Sequence, residues 1–179
     1  MLNSITISLF HLTVLYTAAG SSNFARSISN MKSNILRASH RYCALSNLGS
    51  LSCIREMIDP DEACVYGMSG IDNIMTGIEG FHIKYHDVFW IFKSIKEDKD
   101  CSKVEIDFDR YWTERGETNE PIGVYSCSAS EIIEFNDKGK ICSIIYKMHP
   151  TDSVLFGKEY PKERSAVLTE AKSLIDCIS

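Results

Sequence analysis

The sequence predicts an α+β fold in which a cone-shaped, strongly curved antiparallel sheet wraps around a long helix. Two observations predict this fold. A helical pattern of apolar residues covers residues 77–94, and three strand patterns with alternating apolar and polar residues follow between residues 103 and 148. Consecutive alternating strands form an antiparallel sheet with one apolar face, and the long helix is expected to cover that face.

Composition limits the chain to one domain with appendages. Its 179 residues are 44% hydrophobic, which suffices for one core and is too little for two. The patterns divide the chain into a presequence over residues 1–42, a domain over residues 45–152 and a C-terminal helical extension over residues 153–179.

The segment 1–42 has the composition of a targeting presequence. The first acidic residue of the chain is Glu56, and an apolar run from Ile5 to Tyr16 is followed by small residues and then by a Ser- and Arg-rich stretch. A signal-like run before a transit-like stretch is typical of import into a plastid, with a mitochondrion or secretion as alternatives. The apolar run is shorter than the about 20 residues that span a bilayer, so we expect no membrane association of the mature form.

Charge and cysteine spacing exclude several classes of partner. The net charge is −5, and no Lys/Arg cluster falls on a predicted helix, so nucleic acid is not an expected partner. The seven cysteines include no C-x-x-C pair, and neither a Gly-rich phosphate loop nor a G-x-S-x-G motif occurs. We therefore expect no metal, no cofactor and no disulfide framework.

Periodicity and a capping motif predict a short helix, a brief strand and a long helix at the start of the domain. Apolar spacing predicts a short N-terminal helix over Leu48–Ile58, and a brief strand follows over Glu62–Gly67. Thr76 and Glu79 form a T-x-x-E capping box, which predicts that the long helix begins at Gly77 and runs to Ser94.

Three strands complete the predicted sheet. They cover Lys103–Thr113, Ile122–Phe135 and Ile141–Met148, and the turn Asn136–Gly139 joins the last two. Pairing Phe135 with Lys140 places odd residues of the second strand and even residues of the third on the inner face. Keeping the first strand's apolar face inward then requires an odd offset or a bulge near residues 116–123, which would also bend the sheet. A last helix begins at Pro161 and is expected to cover an edge or mouth of the sheet.

Three segments resemble the nuclear transport factor 2-like superfamily, nearest its SnoaL-like and ketosteroid-isomerase-like branches. They are Asp61–Val65 (DEACV), the stretch from Thr76 to Tyr85 with Gly77 before the long helix, and Glu134–Ile141 (EFNDKGKI) before the last strand. With the order of helices and strands, the resemblance covers roughly residues 48–149 and implies a cone that encloses a cavity.

The resemblance to ketosteroid isomerase does not extend to its reaction. That enzyme carries its catalytic Asp two residues past the Val of a D-x-A-x-V strand, and Gly67, after Tyr66, stands at this position here. Glycine has no group that moves a proton. SnoaL-like proteins include polyketide cyclases, hydrolases and unassigned members, so this looser resemblance implies no single reaction.

Glu131 is the candidate catalytic residue. The strand parity places this lone carboxylate on the inner face, where loss of hydration raises the pKa of a carboxyl group toward the range of a general acid or base. A bulge near Ser130 that turns Glu131 outward is the alternative.

The candidate ligand-binding residues lie on the same predicted inner face and on the long helix. Arg110 falls among apolar residues, where it either binds a ligand carboxylate or extends over Trp112 to the sheet edge. The aromatic candidates either line the cavity or belong to the core; they are Tyr85, Trp112, Tyr125 and Tyr146. His82 and His86 have the i, i+4 spacing of two metal ligands on a helix, but no third ligand is apparent.

Two functions fit this sequence. The first is a cone that binds a small, largely apolar organic ligand, either for binding alone or for a proton transfer of the lyase or isomerase type. The second is a non-catalytic module whose outer sheet face forms a homodimer or docks a protein. An open cavity with a buried carboxylate favours the first, and a filled cone with an apolar outer patch favours the second.

Overall fold

The computed structural model describes residues 34–98, 102–148 and 154–178. Within these ranges the chain forms the helices α1 (Asn34–Leu48), α2 (Leu51–Met57), α3 (Ile71–Lys84) and α4 (Arg164–Ile178). The strands are β1 (Cys64–Val65), β2 (Met68–Ser69), β3 (Phe89–Glu97), β4 (Lys103–Arg115), β5 (Pro121–Phe135), β6 (Ile141–Met148) and β7 (Val154–Gly157).

The described strands form one mixed sheet in the order β2-β1-β6-β5-β4-β3, with β7 pairing to β5. All pairs are antiparallel except β1 with β6. Register shifts interrupt β3, β4 and β5 and include one between Glu114 and Arg115, opposite the interval from Pro121 to Gly123. Bulges bend strands, so these shifts account for the curvature of the sheet. The predicted α+β fold with a curved sheet is confirmed, and so is the bulge near residues 116–123.

The long helix on the concave face is α1, and its position corrects the predicted N-terminal boundary of the domain. Ile35, Tyr42, Cys43 and Leu45 of α1 are buried in the main core. A boundary between residues 42 and 45 falls inside this helix, so residues 34–42 belong to the fold. The remainder of the predicted presequence, residues 1–33, lies outside the described residues, and its targeting role stays a prediction.

The predicted helix over residues 77–94 is wrong at both ends. The helix begins six residues earlier, after Gly70, which has a positive φ of 81° and precedes Ile71. Thr76 lies inside α3 and donates to the carbonyl of Asp72 instead of capping the helix. Residues Phe89–Glu97 form β3, which is buried on both faces in its first half, so its continuous apolar run imitates a helical pattern.

The pairing of β5 with β6 keeps the predicted parity but not the predicted register. Glu131 pairs with Tyr146, two residues beyond the expected partner Ile144, because a register shift lies between Glu134 and Phe135. A displacement by two residues leaves the side chains from Ala129 to Glu134 on their predicted faces, whereas Ile141 pairs with Phe135 and is buried against prediction. No register shift occurs at Ser130, so the alternative that would turn Glu131 outward is not observed.

The C-terminal segment packs on two parts of the domain. Ala171 and Leu174 of α4 pack with Ala44 of α1, and Val167 packs with Phe89 and Tyr111 on the outer face of the sheet. The predicted C-terminal helix is therefore present from Arg164, and strand β7 precedes it. None of the described helices has the length and apolar character needed to cross a membrane.

Candidate functional site: a cavity with one buried carboxylate

A cavity of about 780 Å³ lies between the helices and the inner face of the sheet. Small-molecule sites usually have volumes of about 300–1,000 Å³, so this cavity is large enough for a drug-sized ligand. Its wall is mostly apolar, and its charged side chains are Arg110 and Glu131. It is lined by Tyr42, Ser46, Ile54, Cys64, Tyr66, Gly67, Met68, Gly77, Ile78, Phe81, His82, Trp90, Arg110, Glu131, Ser143, Ile144, Ile145 and Tyr146.

Glu131 reaches the cavity from the middle of β5 and is only 7% exposed. Its strand neighbours are Ile106 on β4 and Tyr146 on β6, so the carboxyl group sits among apolar and aromatic side chains. Burial raises the pKa of Glu131 to about 7, although a hydrogen bond from Tyr66 and the positive charge of Arg110 act in the opposite direction. A carboxyl group with this pKa is a base for part of its population and an acid for the rest near neutral pH.

Two tyrosines extend from Glu131 as a hydrogen-bonded chain. The Tyr66 hydroxyl donates to Oε1 of Glu131 over 2.8 Å, and the hydroxyls of Tyr42 and Tyr66 are 2.8 Å apart. A phenol has one proton to donate, so Tyr42 donates to Tyr66 while Tyr66 donates to the carboxylate. Burial and the Glu131 charge raise the pKa of both phenols well above the usual value, which keeps both protonated.

Local backbone structure positions Tyr66. Its φ is 52°, in the left-handed region that non-glycine residues rarely adopt, and Gly67 follows with φ of 77°. Together they reverse the chain between β1 and β2. The backbone N–H of Tyr66 donates to the carbonyl of Ile144 on β6. This turn lets the hydroxyl of a residue that is 38% exposed reach Glu131 inside the cavity.

Arg110 enters the cavity from β4 between three aromatic rings. Its guanidinium carbon is 5.2 Å from the ring centres of Phe81 and Trp112 and 5.7 Å from that of Tyr146. These distances are those of cation–π contacts, in which the positive charge lies over the faces of the rings. Both alternatives from the sequence are compatible with this position, because Arg110 lies over Trp112 and also lines the cavity.

The structure separates the predicted aromatic residues into two groups. Tyr146 lines the cavity beside Arg110 and Glu131. Tyr85, Trp112 and Tyr125 instead pack in a neighbouring cluster, with ring centres 5.8 Å apart for Tyr85 and Trp112 and 6.2 Å apart for Trp112 and Tyr125. These three do not line the cavity, and Trp112 contributes to the site only through its contact with Arg110.

The predicted histidine pair does not form. Because α3 ends at Lys84, His86 lies beyond the helix, where it is exposed near the guanidinium of Arg115. His82 lines the cavity, and burial lowers its pKa, which favours the neutral ring. In the described parts of the chain, no group of three or more His, Cys, Asp or Glu side chains is arranged to hold a metal ion.

Sequence reasoning missed Tyr42 and Tyr66 as site residues. Tyr42 was assigned to the presequence because the surrounding stretch has no acidic residue. Tyr66 precedes Gly67, which stands where ketosteroid isomerase has its catalytic Asp, and no periodicity in the sequence places the Tyr66 hydroxyl beside Glu131. The signal that identifies Tyr66 is the strand β1 itself, which pairs in parallel with β6 next to the partner of Glu131.

The fold is similar to that of solved nuclear transport factor 2-like proteins, in agreement with the resemblance of the sequence. Comparison with models of protein families and with the sequences of curated proteins gives no significant match. Comparison of the structure with solved structures gives many matches of this fold.

Three solved structures illustrate the likeness. A nuclear transport factor 2-like protein of unknown function from Exiguobacterium sp. 255-15 matches with a TM-score of 0.52 and 15% identity, over 62% of this chain and 97% of its own. SalBIII, an epoxide hydrolase/cyclase-like enzyme in pyran ring formation in salinomycin, matches with a TM-score of 0.55 and 15% identity, over 75% of this chain and 98% of its own. RV0760c from Mycobacterium tuberculosis, in complex with estradiol-17beta-hemisuccinate, matches with a TM-score of 0.57 and 8% identity, over 69% of this chain and 100% of its own.

Proposed function

We propose that this protein binds a small, largely apolar organic molecule in the cavity and that Glu131 transfers a proton on it, in a reaction of the lyase or isomerase type. The observation that carries the proposal is a carboxyl group with a pKa of about 7 in an apolar cavity of about 780 Å³. A buried carboxyl group without an ion-pair partner destabilises a fold, and such groups are retained where they function. The complex of the structural neighbour RV0760c with estradiol-17beta-hemisuccinate adds support for an apolar ligand.

The geometry around Glu131 suits proton transfer. Among the described residues, Tyr66 is the hydrogen-bond donor to Glu131, and it uses Oε1, so Oε2 remains for the ligand. When Glu131 is ionised, its Oε2 atom takes the proton from an acidic C–H bond of the ligand. The electron pair of that bond then forms a carbon–carbon double bond as charge moves to an electron-withdrawing group of the ligand. In an isomerisation the proton returns from Glu131 to another carbon, and in an elimination a leaving group departs with the electron pair of its own bond to the neighbouring carbon.

The alternative of a dimerisation or docking module has less support. The outer face of β3 and β4 carries the ion pairs Lys93–Asp109 and Lys96–Asp107, and Asp109 also accepts a hydrogen bond from Ser128. A face with these paired charges is not the apolar patch that a docking sheet requires. The open cavity and the buried Glu131 are the features that we expected of the ligand-binding function.

Ligand binding is tested by native mass spectrometry of the protein purified from its own source. We expect a retained small molecule, which organic extraction then releases for identification. The same spectrum reports the oligomeric state. A monomer or dimer that carries no retained molecule, and that binds no member of a library of apolar organic compounds, would contradict the binding proposal.

Proton transfer is tested by hydrogen–deuterium exchange into the bound ligand in D₂O, followed by NMR. We expect exchange at one carbon in the wild type and its loss in Glu131→Gln. The matched control is Glu134→Gln, because Glu134 lies on the same strand but on the opposite face, where it pairs with Lys103. Equal exchange in all three proteins would remove Glu131 from the mechanism and leave ligand binding intact.

We also propose that residues 1–33 direct the protein to an organelle, with a plastid as first expectation. The support is the acid-free composition and the signal-like and transit-like order of this segment. A fluorescent protein that carries residues 1–33 is expected to enter the plastid. Uniform fluorescence throughout the cytosol would contradict the proposal. Fluorescence in mitochondria or in the medium would show that the segment directs the protein there and not to a plastid.

A further inference from the structure

Arg110 lines the cavity and has a buried hydrogen-bond donor that the described residues do not satisfy. Its Nε is buried and has no hydrogen-bond partner among the described residues. The ion pairs found in the described ranges involve other residues, and Glu131 acts on Arg110 only at longer range. A buried donor without a partner costs free energy, because it gives up its hydration.

The aromatic rings around Arg110 fix its position but do not use its donors. Phe81, Trp112 and Tyr146 stabilise the positive charge through their π systems. The planar guanidinium has five N–H donors in a fixed arrangement, and these pair best with two oxygens in one plane. A ligand that packs against Arg110 satisfies these donors only if it offers acceptor oxygens.

We propose that Arg110 is the specificity-determining residue of the cavity and binds a carboxylate of the ligand, so that the ligand is an apolar organic acid. This inference rests on the proposed ligand-binding function. The apolar part of such an acid lies against Ile78, Ile144 and the other apolar side chains of the wall. The carboxylate lies against the guanidinium fork, in the paired geometry that lysine cannot reproduce.

The charges of the cavity favour a monoanion over a phosphate. Arg110 is the cationic side chain of the lining, and His82 is held neutral by its lowered pKa. One carboxylate is balanced by one guanidinium. A dianionic phosphate would leave an uncompensated negative charge next to Glu131 in an apolar wall, which is unfavourable.

The test compares acids with alcohols of the same carbon skeleton by isothermal titration calorimetry at about pH 6, where Glu131 is mostly neutral. Suitable pairs are dodecanoic acid with dodecanol and naphthoic acid with naphthalenemethanol. We expect the wild type to bind the acid at least about tenfold more tightly than the alcohol. Arg110→Met is expected to remove this preference, and Arg110→Lys to retain only part of it. Arg115→Met is the control, because Arg115 lies on the same strand and contacts the carbonyl of Asn119 outside the cavity.

The outcomes separate the role of Arg110 from the binding of apolar ligands. Equal affinity of the wild type for acids and alcohols overturns the role of Arg110 and leaves the cavity as a binding site. Retention of the acid preference by a folded Arg110→Met variant also overturns that role. Failure of the wild type to bind either member of both pairs overturns this inference together with the proposed binding of apolar ligands. If Arg110→Met does not fold, the comparison of wild type with Arg110→Lys decides the question.

Discussion

Glu131 and Arg110 bring opposite charges to one cavity without forming an ion pair between them. The attraction of Arg110 lowers the pKa of Glu131, but burial outweighs it, and the net result is a pKa of about 7. The carboxyl group is thus neutral in the folded protein over an interval of pH in which it is ionised in the unfolded chain. Its effect on stability therefore depends on pH.

We predict that Glu131→Gln stabilises the protein at about pH 8 and leaves its stability nearly unchanged at about pH 4. The folded pKa lies above the ordinary value of 4.5, so the folded state binds the proton more tightly. The stabilisation of the fold by this bound proton is fully present below pH 4.5 and is lost as pH rises through about 7. The gain of the Gln variant at high pH is about 3 kcal/mol, measured by urea unfolding at both pH values. A destabilised variant at about pH 8 would mean that Arg110 and Glu131 form an ion pair in solution.

We predict that Tyr66→Phe raises the pKa of Glu131 above its wild-type value of about 7, because the hydrogen bond from Tyr66 favours the ionised carboxylate. Tyr42→Phe is expected to change this pKa less, since Tyr42 acts through Tyr66. Titration of the labelled Glu131 carboxyl carbon by NMR measures both shifts. Tyr160→Phe serves as control, because Tyr160 bonds to Asp87 and Thr113 elsewhere in the fold. An unchanged titration of Glu131 in Tyr66→Phe would show that the phenol does not bond the carboxylate in solution.

At the scale of elements, strand β3 explains which residues are critical for stability. Phe89 is 0% exposed, stacks on Tyr111 and meets Tyr160 edge-on, so it joins β3 to β4 and to the C-terminal segment. His86 precedes the strand and is exposed, with one long contact to Arg115. The two residues are close in sequence and differ completely in packing.

We predict that Phe89→Ala costs about 3–5 kcal/mol of unfolding free energy and that His86→Ala costs less than about 0.5 kcal/mol. Removal of a fully buried aromatic ring leaves a cavity between the sheet and α4, whereas removal of an exposed imidazole leaves none. Chemical denaturation of the two variants beside the wild type gives the comparison. Losses of similar size would indicate that the outer aromatic cluster does not contribute to the stability of the fold.

The strands were more predictable from the sequence than the helices. Alternation over Lys103–Thr113 and the turn at Asn136–Gly139 predict β4 to β6, because one face of these strands is more apolar than the other. The same alternation placed Glu131 inward without any knowledge of its neighbours. In contrast, β3 is apolar on both faces, and periodicity alone does not distinguish such a strand from a buried helix. The enrichment of aromatic and β-branched residues over Val88–Phe92 is the signal that favours a strand.

The central helix was missed for a different reason. Composition assigned residues 34–42 to the presequence, and the polar residues within α1 concealed its apolar side. Ser39 and Ser46 are buried, but each donates to a backbone carbonyl one turn earlier, at Ile35 and Tyr42. These bonds to the helix backbone allow the two serines to be buried without unpaired hydroxyl groups. Tyr42 was lost from the predicted site together with this helix.

At the scale of the whole molecule, residues 34–42 belong to the domain, and truncation tests how much of the N-terminal segment the fold requires. We predict that a chain without residues 1–33 unfolds at the same temperature as the full chain. A chain without residues 1–42 is expected to unfold more than about 10 °C lower, because it lacks Ile35, Ser39, His40 and Tyr42 from the core. Thermal unfolding followed by circular dichroism separates the cases. An equal melting temperature for both truncations would mean that the first half of α1 is dispensable.

The packing of α1 on α4 has a consequence for synthesis. Ala44 lies near the start of the described chain, and its partners Ala171 and Leu174 lie near the end. On the ribosome, all strands of the described sheet therefore leave the exit tunnel before α4, the helix that packs on α1. Contacts between residues so far apart in sequence form late in folding. Until α4 has left the exit tunnel, this side of α1 is exposed and available to chaperones, and the docking of α4 then covers it.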